Sequence, residues 1–195
     1  MKKEDLLDFY NRTALSRSRW KKRNRFYHTS LQRYFKYFVA PGARVIEIGC
    51  GPGDLLHSLQ PAYGVGVDFS SIILEEARKK FPQYTFIEQD AESLTIREKF
   101  DYIILSDLVG CLWDVQIALK NLRPLCDPHT RVLISNYNYL WEPIMLTGER
   151  LRLKLPQPRQ NWLSTADLET LLYLEDFQMV TVQKKLLLPK YIPVL

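Results

Sequence analysis

Short apolar runs alternate with segments of helical periodicity along most of the chain. Runs of Val, Ile, Leu and Tyr bounded by Gly, Pro or acidic residues are typical of buried strands. They predict strands near residues 43–48, 64–68, 84–88, 100–106, 130–136 and 176–183. Helical patterns between them predict helices near 53–60, 71–81, 112–122 and 164–173. Strands that alternate with helices favour an α/β fold built on a mostly parallel sheet with right-handed crossovers.

The first 40 residues follow a different pattern, because they contain helical periodicity and no strand. Two helices are predicted, near 3–12 and 20–38, and the turn signal Pro41-Gly42 ends them. In the second helix an apolar stripe recurs at intervals of three and four residues, through Tyr27, Leu31, Tyr34, Phe35 and Phe38. We therefore divide the chain into an N-terminal helical segment (1–40), a main domain (41–186) and a tail (187–195).

The most informative segment is the end of the first strand, where residues 45–56 read VIEIGCGPGDLL. Glycines at 49, 51 and 53 allow a sharp turn and let a ligand approach the backbone closely. The following helix directs its free N–H groups toward the same point. This arrangement is typical of nucleotide-like ligands in open α/β sheets. The third glycine comes one residue too early for a dinucleotide motif, and no P-loop Gly-Lys-Ser/Thr follows.

Acidic residues close the next strands along the chain. Asp68 ends the second predicted strand, 19 residues after Gly49, and a carboxylate there can accept both hydroxyls of a ribose. Asp90 ends the third strand, and Ser106 and Asp107 end the fourth. Each acid also has a structural explanation: Asp68 as a strand-end cap, and Asp90 as the start of a turn. Glu47 lies inside an apolar strand, so its carboxylate needs a ligand or loop amides as partners.

The motif E-x-G-x-G-x-G and the four later segments, in this order and at these intervals, resemble the class I S-adenosylmethionine-dependent methyltransferases over residues 41–186. The resemblance implies a Rossmann-like, doubly wound sheet and S-adenosylmethionine as the cofactor, with no metal. It also implies a set of cofactor-binding residues. These are Glu47, Gly49, Cys50, Gly51, Gly53, Asp68, Phe69, Asp90, Ala91, Glu92, Ser106 and Tyr27.

The resemblance further implies that the N-terminal helices form a lid over the cofactor site. Tyr10, Arg25, Tyr27 and His28 are then candidates to contact the methionine end of the cofactor or the acceptor, and we expect Tyr27 and His28 to face the pocket. A methyl group on a sulfonium is already activated, so a base is needed only for a poorly ionised acceptor. The candidate catalytic residues are Asp107 and His28.

Two regions depart from a minimal domain of this family. Residues 137–163 form an insert after the fifth strand, which is predicted to shape the acceptor pocket, although packing explains its aromatic residues as well. Such domains usually add a seventh, antiparallel strand, and no partner for one follows Lys185. We therefore expect that the last strand is missing and that the chain is a piece of a longer protein.

Positive charge is concentrated at the N-terminus. Residues 1–36 hold eleven Lys/Arg and three Asp/Glu, a net charge of +8, whereas the remainder carries −3 of the total of +5. The basic and aromatic segment 17–28 is typical of a nucleic-acid patch. An amphipathic helix with a solvated basic face explains the same residues, so an RNA methyltransferase is the alternative function.

Composition narrows the class further. Cys50, Cys111 and Cys126 form no C-x-x-C pair, which argues against a disulfide framework and against a zinc site. The chain lacks an apolar run of about 20 residues and a secretory signal, so we expect a cytoplasmic domain. The sequence thus predicts methyl transfer to a small-molecule or lipid-like acceptor. A catalytically silent cofactor-binding module is a further alternative, and a fused or partner glycosyltransferase is a further expectation, because some relatives carry one.

Overall fold

Five parallel strands form the centre of the protein, in a computed structural model that describes residues 3–137, 142–151 and 161–185. The strand order is β3-β2-β1-β4-β5, which confirms the predicted Rossmann-like α/β fold. The order reverses between β1 and β4, so a crevice opens beyond the carboxyl ends of these two strands. The strands are β1 (Arg44–Ile48), β2 (Tyr63–Asp68), β3 (Thr85–Glu88), β4 (Tyr102–Ser106) and β5 (Arg131–Ser135).

Helices cover both faces of this sheet. They are α1 (Lys3–Arg23), α2 (Arg25–Phe38), α3 (Asp54–Leu59), α4 (Ser71–Lys80), α5 (Val115–Lys120), α6 (Glu142–Arg150) and α7 (Thr165–Leu174). Two N-terminal helices are present as predicted, but α1 continues to Arg23 instead of ending near residue 12, and α2 begins at Arg25 after Asn24. The helix predicted over 112–122 is shorter, because single turns of 3₁₀ helix precede and follow α5. In the described part of the chain, no helix is long and apolar enough to cross a membrane.

The central strands are apolar on both faces because each face contributes to a separate hydrophobic cluster. Ile46 and Ile48 of β1 pack on the side of α5 and α7. Val45 of the same strand packs on the opposite side, together with Leu31 and Phe35 of α2. A strand buried on both faces reads as a continuous apolar run. The apolar stripe of α2 is thus a packing surface, as the sequence pattern predicts.

The helix α6 lies inside the insert at 137–163 and was not predicted. Its second residue is Pro143, which is favourable in a first helical turn because that turn needs no amide hydrogen bond from it. Glu142 also suits the positive end of the helix dipole. Glu142 and Pro143 therefore mark the start of a helix. An analysis based on hydrophobic periodicity does not detect such residues.

The prediction of a sixth strand over 176–183 is wrong, since residues 177–185 form no strand in the structure. Phe177 and Met179 pack against the core, whereas Val180 and Val182 are exposed. The alternation of apolar and polar residues in this segment therefore indicates which side chains contact the core. It does not indicate that the segment pairs with a strand. The tail at 187–195 lies outside the described residues.

Candidate functional site

The glycine-rich turn between β1 and α3 has the backbone that the sequence predicts. Gly49, Gly51 and Gly53 all have positive φ angles, of 74°, 53° and 76°. The amides of Gly49 and Cys50 donate to the Val67 carbonyl oxygen at 2.7 and 2.9 Å, which fixes the turn on β2. A Cβ at Gly51 would meet no atom within 4 Å, because this residue faces the open groove at the sheet edge. The turn thus leaves room for a ligand directly above its backbone.

Asp68 ends β2 and its carboxylate is fixed by backbone amides. One oxygen accepts a hydrogen bond from Gly51 N at 2.9 Å, and the other accepts one from Ser70 N at 3.0 Å. The residue is only 8% exposed, yet it lines the groove beside the glycine turn. A carboxylate with two oxygens held in this way can still accept further hydrogen bonds from hydroxyl groups.

Glu47 is buried inside β1, with 3% of its surface exposed. Its Oε2 accepts a hydrogen bond from the amide of Leu56 in α3 at 2.9 Å. The carboxylate therefore ties the strand before the glycine turn to the helix after it. Of the two explanations given by the sequence, the structure supports satisfaction by backbone amides. Contact between Glu47 and a cofactor stays a prediction.

Asp90 and Glu92 flank Ala91 at the end of β3, and the side chain of Lys3 bridges them. Lys3 Nζ lies 2.5 Å from Asp90 Oδ2 and 2.9 Å from Glu92 Oε2. The remaining carboxylate oxygens hold the loop itself: Asp90 Oδ1 accepts the amide of Glu92, and Glu92 Oε1 accepts the amide of Trp113. The N-terminal helix thus reaches this end of the groove through an ion pair.

Helix α1 makes two further contacts beside the groove. The ring of Tyr10 packs edge-on against Phe69, with 5.1 Å between ring centroids. The hydroxyl of Ser70, which caps α4, donates to Asn11 Oδ1 at 2.5 Å. Since Phe69 and Ser70 directly follow Asp68, α1 covers the same loop that the carboxylate organises. These contacts hold α1 beside the groove, and a lid function of the N-terminal helices stays a prediction.

Asp107 follows β4 at the other end of the groove and has a left-handed backbone, with φ of 53°. Its Oδ2 accepts a hydrogen bond from the hydroxyl of Tyr27 at 2.6 Å, and its Oδ1 accepts one from Ser135 Oγ at 2.9 Å. Tyr137 hydrogen-bonds to the same carboxyl group. The rings of Tyr27 and Tyr137 stack with centroids 5.9 Å apart, and His28 meets Tyr27 edge-on at 5.2 Å.

Burial determines the protonation behaviour of this cluster. It raises the pKa of the Asp107 carboxyl, although the hydrogen bonds from Tyr27, Ser135 and Tyr137 act in the opposite direction. Burial, together with the nearby negative charge of Asp107, also raises the pKa values of Tyr27 and Tyr137. Both phenols therefore stay neutral and can donate their hydrogen bonds. Asp107 is a carboxylate of increased basicity, surrounded by hydroxyl groups.

The groove brings together nearly all residues that the sequence predicts for the site. Gly53 is an exception, since a Cβ there would lie 2.9 Å from the ring of Phe86, and its role is to let α3 pack closely on the sheet. Arg25 is exposed and does not line the groove. The predicted residues that do line it are Tyr10, Tyr27, His28, Glu47, Gly49, Cys50, Gly51, Asp68, Phe69, Asp90, Ala91, Glu92, Ser106 and Asp107.

The sequence analysis missed Lys3, Ser135 and Tyr137. Ser135 ends β5 and Tyr137 follows two residues later, so the rule that ligands bind beyond the carboxyl ends of parallel strands would have found both. No local pattern marks Lys3, because its partners lie almost 90 residues away. Among the described residues, no group of three His, Cys, Asp or Glu side chains is arranged to hold a metal ion.

The open α/β sheet, the glycine turn and the carboxylate at the end of β2 define a protein that binds a nucleoside-containing cofactor at its switch point. Residues 19–182 match the family described as the methyltransferase domain, so the chain belongs to that family. The predicted class, the S-adenosylmethionine-dependent methyltransferases, is confirmed, and the cofactor is S-adenosylmethionine.

Solved structures share this fold. A methyltransferase from Thermotoga maritima, described as a possible histamine N-methyltransferase, is 21% identical with a TM-score of 0.74, covering 89% of this chain and 82% of its own. Magnesium protoporphyrin IX methyltransferase from Synechocystis, with bound S-adenosylhomocysteine, is 22% identical, also with a TM-score of 0.74, and the coverage is 91% and 90%. At these identities the likeness shows the fold alone.

Curated relatives share more sequence over shorter stretches. A ubiquinone biosynthesis O-methyltransferase of Bradyrhizobium diazoefficiens is 28% identical over 73% of this chain. A malonyl-[acyl-carrier protein] O-methyltransferase of Bacillus cytotoxicus is 30% identical over 58%, and a highly reducing polyketide synthase of Gibberella fujikuroi is 29% identical over 60%. The matched part spans 60%, 42% and 6% of these relatives. None of these names supports the nucleic-acid or glycosyltransferase partner given above as an alternative.

The residues of the groove fit S-adenosylmethionine. The open space above Gly51 suits close approach of a ligand to the backbone, and Asp68 presents oxygen acceptors beside it, as ribose hydroxyls require. Asp90 offers an acceptor at the next strand end, which suits an amino group, and Lys3 shares that carboxylate. The chemistry of the site therefore agrees with the family.

Proposed function

We propose that this chain transfers the methyl group of S-adenosylmethionine to a small-molecule or lipid-like acceptor that binds beside Asp107. The observation that carries this proposal is the position of the Asp107 cluster in the same groove as the glycine turn. Asp107 and Ser106 end β4, which is the direct neighbour of β1 in the sheet. A methyl donor held over the turn would therefore meet its acceptor at the end of β4.

Different residues of the groove would bind different parts of S-adenosylmethionine. Asp68 would hold the ribose hydroxyls and Asp90 the adenine amino group, and the amides of the turn from Gly49 to Gly51 would hold the methionine end. When bound, S-adenosylmethionine supplies a methyl group on a positively charged sulfur, ready for in-line displacement. The protein is left to bind, orient and desolvate the acceptor, and correct positioning alone lowers such a barrier substantially.

The acceptor end is built for this task from side chains of three separate elements. Tyr27 of α2, Asp107 after β4 and Tyr137 after β5 form its polar centre. Leu108, Met145 and Leu163 also line the groove and provide apolar contacts that exclude water. His28 lies beside Tyr27, at the same end. Asp107, rather than His28, is the proposed proton acceptor, because its carboxyl group is the centre of the hydrogen-bond cluster.

The names of two relatives support an oxygen nucleophile, because both are O-methyltransferases. The relatives and the site give no comparable support to an RNA acceptor. Side chains of residues 14–23, which include most of the basic segment 17–28, lie outside the described part of the structure. A small-molecule acceptor is therefore the function that the site supports best.

Calorimetric titration of the purified chain with S-adenosylhomocysteine, with NADH as the control, tests the donor half of this proposal. We expect micromolar binding of the first compound and none of the second. Transfer of a labelled methyl group to a panel of small acceptors then tests the enzyme. Failure to bind S-adenosylhomocysteine would contradict the proposal, and binding without transfer to any acceptor would show a silent module instead.

A further inference from the structure

Resting on the proposed function, we propose that the acceptor is a phenol whose neutral hydroxyl donates a hydrogen bond to Asp107, and that the site discriminates against carboxylate acceptors. The proposal goes beyond the family, whose members named above differ in their acceptors. It is argued from the partners of Asp107, from the charges around it and from the rings that wall it.

Within residues 3–137, 142–151 and 161–185, the three side-chain partners of Asp107 are all hydroxyl groups. Tyr27 and Ser135 donate to it at 2.6 and 2.9 Å, and Tyr137 belongs to the same cluster. A carboxylate has about four lone-pair positions, so it can accept one more hydroxyl donor. Two of the three existing partners are phenols of the protein itself. An acceptor phenol that docks on Asp107 would repeat a contact that the site already makes.

The charges around Asp107 oppose a carboxylate acceptor. The groups that face it are Tyr27, with His28 beside it, from α2, Ser135 and Tyr137 from the end of β5, and Cys111 from its own loop. None of these is a lysine or an arginine. Lys3, which also lines the groove, is bound to Asp90 and Glu92 at the opposite end. A second carboxylate would therefore meet the negative charge of Asp107 with no lysine or arginine among these groups to offset it, and such like-charge contacts cost several kcal/mol.

The walls of the acceptor end suit a flat ring. Tyr27 and Tyr137 stack beside Asp107 with their planes 17° apart, so aromatic rings wall this part of the groove. Leu108, which directly follows Asp107, and Leu163 are apolar residues that also line the groove. An acceptor with one aromatic ring and one hydroxyl matches both the rings and the carboxylate.

The proton has a defined destination in this arrangement. As the acceptor oxygen bonds to the methyl carbon and the carbon–sulfur bond of the donor breaks, sulfur keeps the bonding electron pair. The acceptor O–H bond breaks, and its proton passes to an Oδ atom of Asp107. Because burial raises the pKa of Asp107, this carboxylate is a stronger base than an exposed one.

The first test compares acceptor classes in a labelled methyl-transfer assay. Catechol and other simple phenols are the hydroxyl acceptors, and trans-aconitate and malonate are the carboxylate acceptors. We expect kcat/KM for phenols to exceed that for carboxylates by about 100-fold, the size of one uncompensated charge contact. Equal or greater methylation of the carboxylates would overturn the inference, while the proposed function would stand.

The second test needs no turnover and uses 4-nitrophenol, whose ionised form is yellow. With S-adenosylhomocysteine present, the protein should raise the apparent pKa of the bound probe, because a neighbouring carboxylate favours the protonated phenol. Asp107→Asn should abolish this rise and lower turnover about 100-fold. Asn also tolerates the left-handed backbone at this position, so the variant keeps its fold.

Tyr37→Phe is the matched control, because Tyr37 lies on the same helix as Tyr27 but is 81% exposed. It should behave like the unchanged protein in both tests. A bound probe that ionises more readily, or a rise that survives in Asp107→Asn, would contradict the inference. Binding of S-adenosylhomocysteine by each variant, measured by calorimetry, shows separately whether the donor site is intact.

Discussion

The two halves of the groove are built by different means. The donor half, at the ends of β1, β2 and β3, fixes its carboxylates with backbone amides, as in the contacts of Asp68 with Gly51 and Ser70. The acceptor half, at the ends of β4 and β5, fixes Asp107 with side-chain hydroxyls from distant parts of the chain. Backbone contacts hold a geometry through changes of sequence, whereas side-chain contacts change with one substitution. On the proposed function, the fold itself would recognise the cofactor, and replaceable side chains would recognise the acceptor.

Asp68→Asn should have the largest effect on the donor half. The substitution replaces the charged carboxylate that would accept hydrogen bonds from the ribose hydroxyls, and hydrogen bonds to a charged group contribute about 1.5–3 kcal/mol each. The affinity for S-adenosylhomocysteine, measured by calorimetry, should therefore fall roughly 10- to 100-fold. Asp101→Asn is the control, because Asp101 accepts the amide of Arg44 at 2.7 Å at the opposite end of the sheet. Equal losses of affinity in the two variants would mean that Asp68 acts only through stability.

Gly51→Ala should reduce cofactor affinity less than Asp68→Asn does. It also distinguishes an effect of backbone strain on stability from an effect on ligand contact. Its φ is 53° and a Cβ would enter open space, so the fold loses only the strain of the left-handed backbone, about 1 kcal/mol. Gly42→Ala has the same strain and the same open surroundings, at a turn before β1. Melting temperatures should fall equally, and only Gly51→Ala should lose affinity for S-adenosylhomocysteine, by about tenfold. Unchanged affinity would remove Gly51 from the cofactor site.

In the acceptor half, the raised pKa of Asp107 should make the stability of the protein depend on pH. Because burial raises the pKa of Asp107 above 3.8, the folded protein binds this proton more tightly than the unfolded chain. The stability contributed by the protonated group is therefore complete below 3.8 and is lost as pH rises through the folded pKa. Asp107→Asn lacks this loss. The melting temperature of the variant, relative to that of the unchanged protein, should therefore rise from acidic to neutral pH, by about 2–4 °C for each kcal/mol of stability that the unchanged protein loses. A constant difference across that range would contradict the raised pKa.

Lys3→Ala should have the smallest effect. Lys3 bridges Asp90 and Glu92, but its side chain is 44% exposed, and such ion pairs contribute about 0–1 kcal/mol. The loss of unfolding free energy in urea titrations should therefore stay below about 1 kcal/mol and shrink in high salt. Arg12→Ala removes the ion pair with Asp8 on the same helix and serves as the control. A loss of several kcal/mol would mean that α1 belongs to the fixed part of the donor half.

The same contrast explains how far the sequence could be interpreted. The donor half follows from one continuous motif, because the turn at Gly49, Gly51 and Gly53 and the strand-end acid Asp68 are local features with a fixed spacing. The contact between Tyr27 and Asp107 joins residues 80 positions apart, and no periodicity encodes it. Tyr27 and Asp107 were each predicted for the site, but their hydrogen bond was not.

The errors in the strand and helix predictions have a physical cause as well. The segment 176–183 alternates apolar and polar residues as a strand does, and it packs Phe177 and Met179 without joining the sheet. Helix α6 was missed because its signals, Glu142 and Pro143, lie at its start and not in its periodicity. Side-chain burial can be predicted from such patterns, whereas backbone pairing depends on neighbours that the local sequence does not specify.

The left-handed backbone at Asp107 limits which side chains this position can carry. Asp, Asn and Gly adopt this conformation with little strain, while most other side chains lose about 1–2 kcal/mol in it. A library that randomises position 107 would therefore consist mainly of destabilised variants. Diversity is better introduced at Tyr27 and Tyr137, where new side chains would reshape the groove and leave Asp107, the proposed proton acceptor, in place.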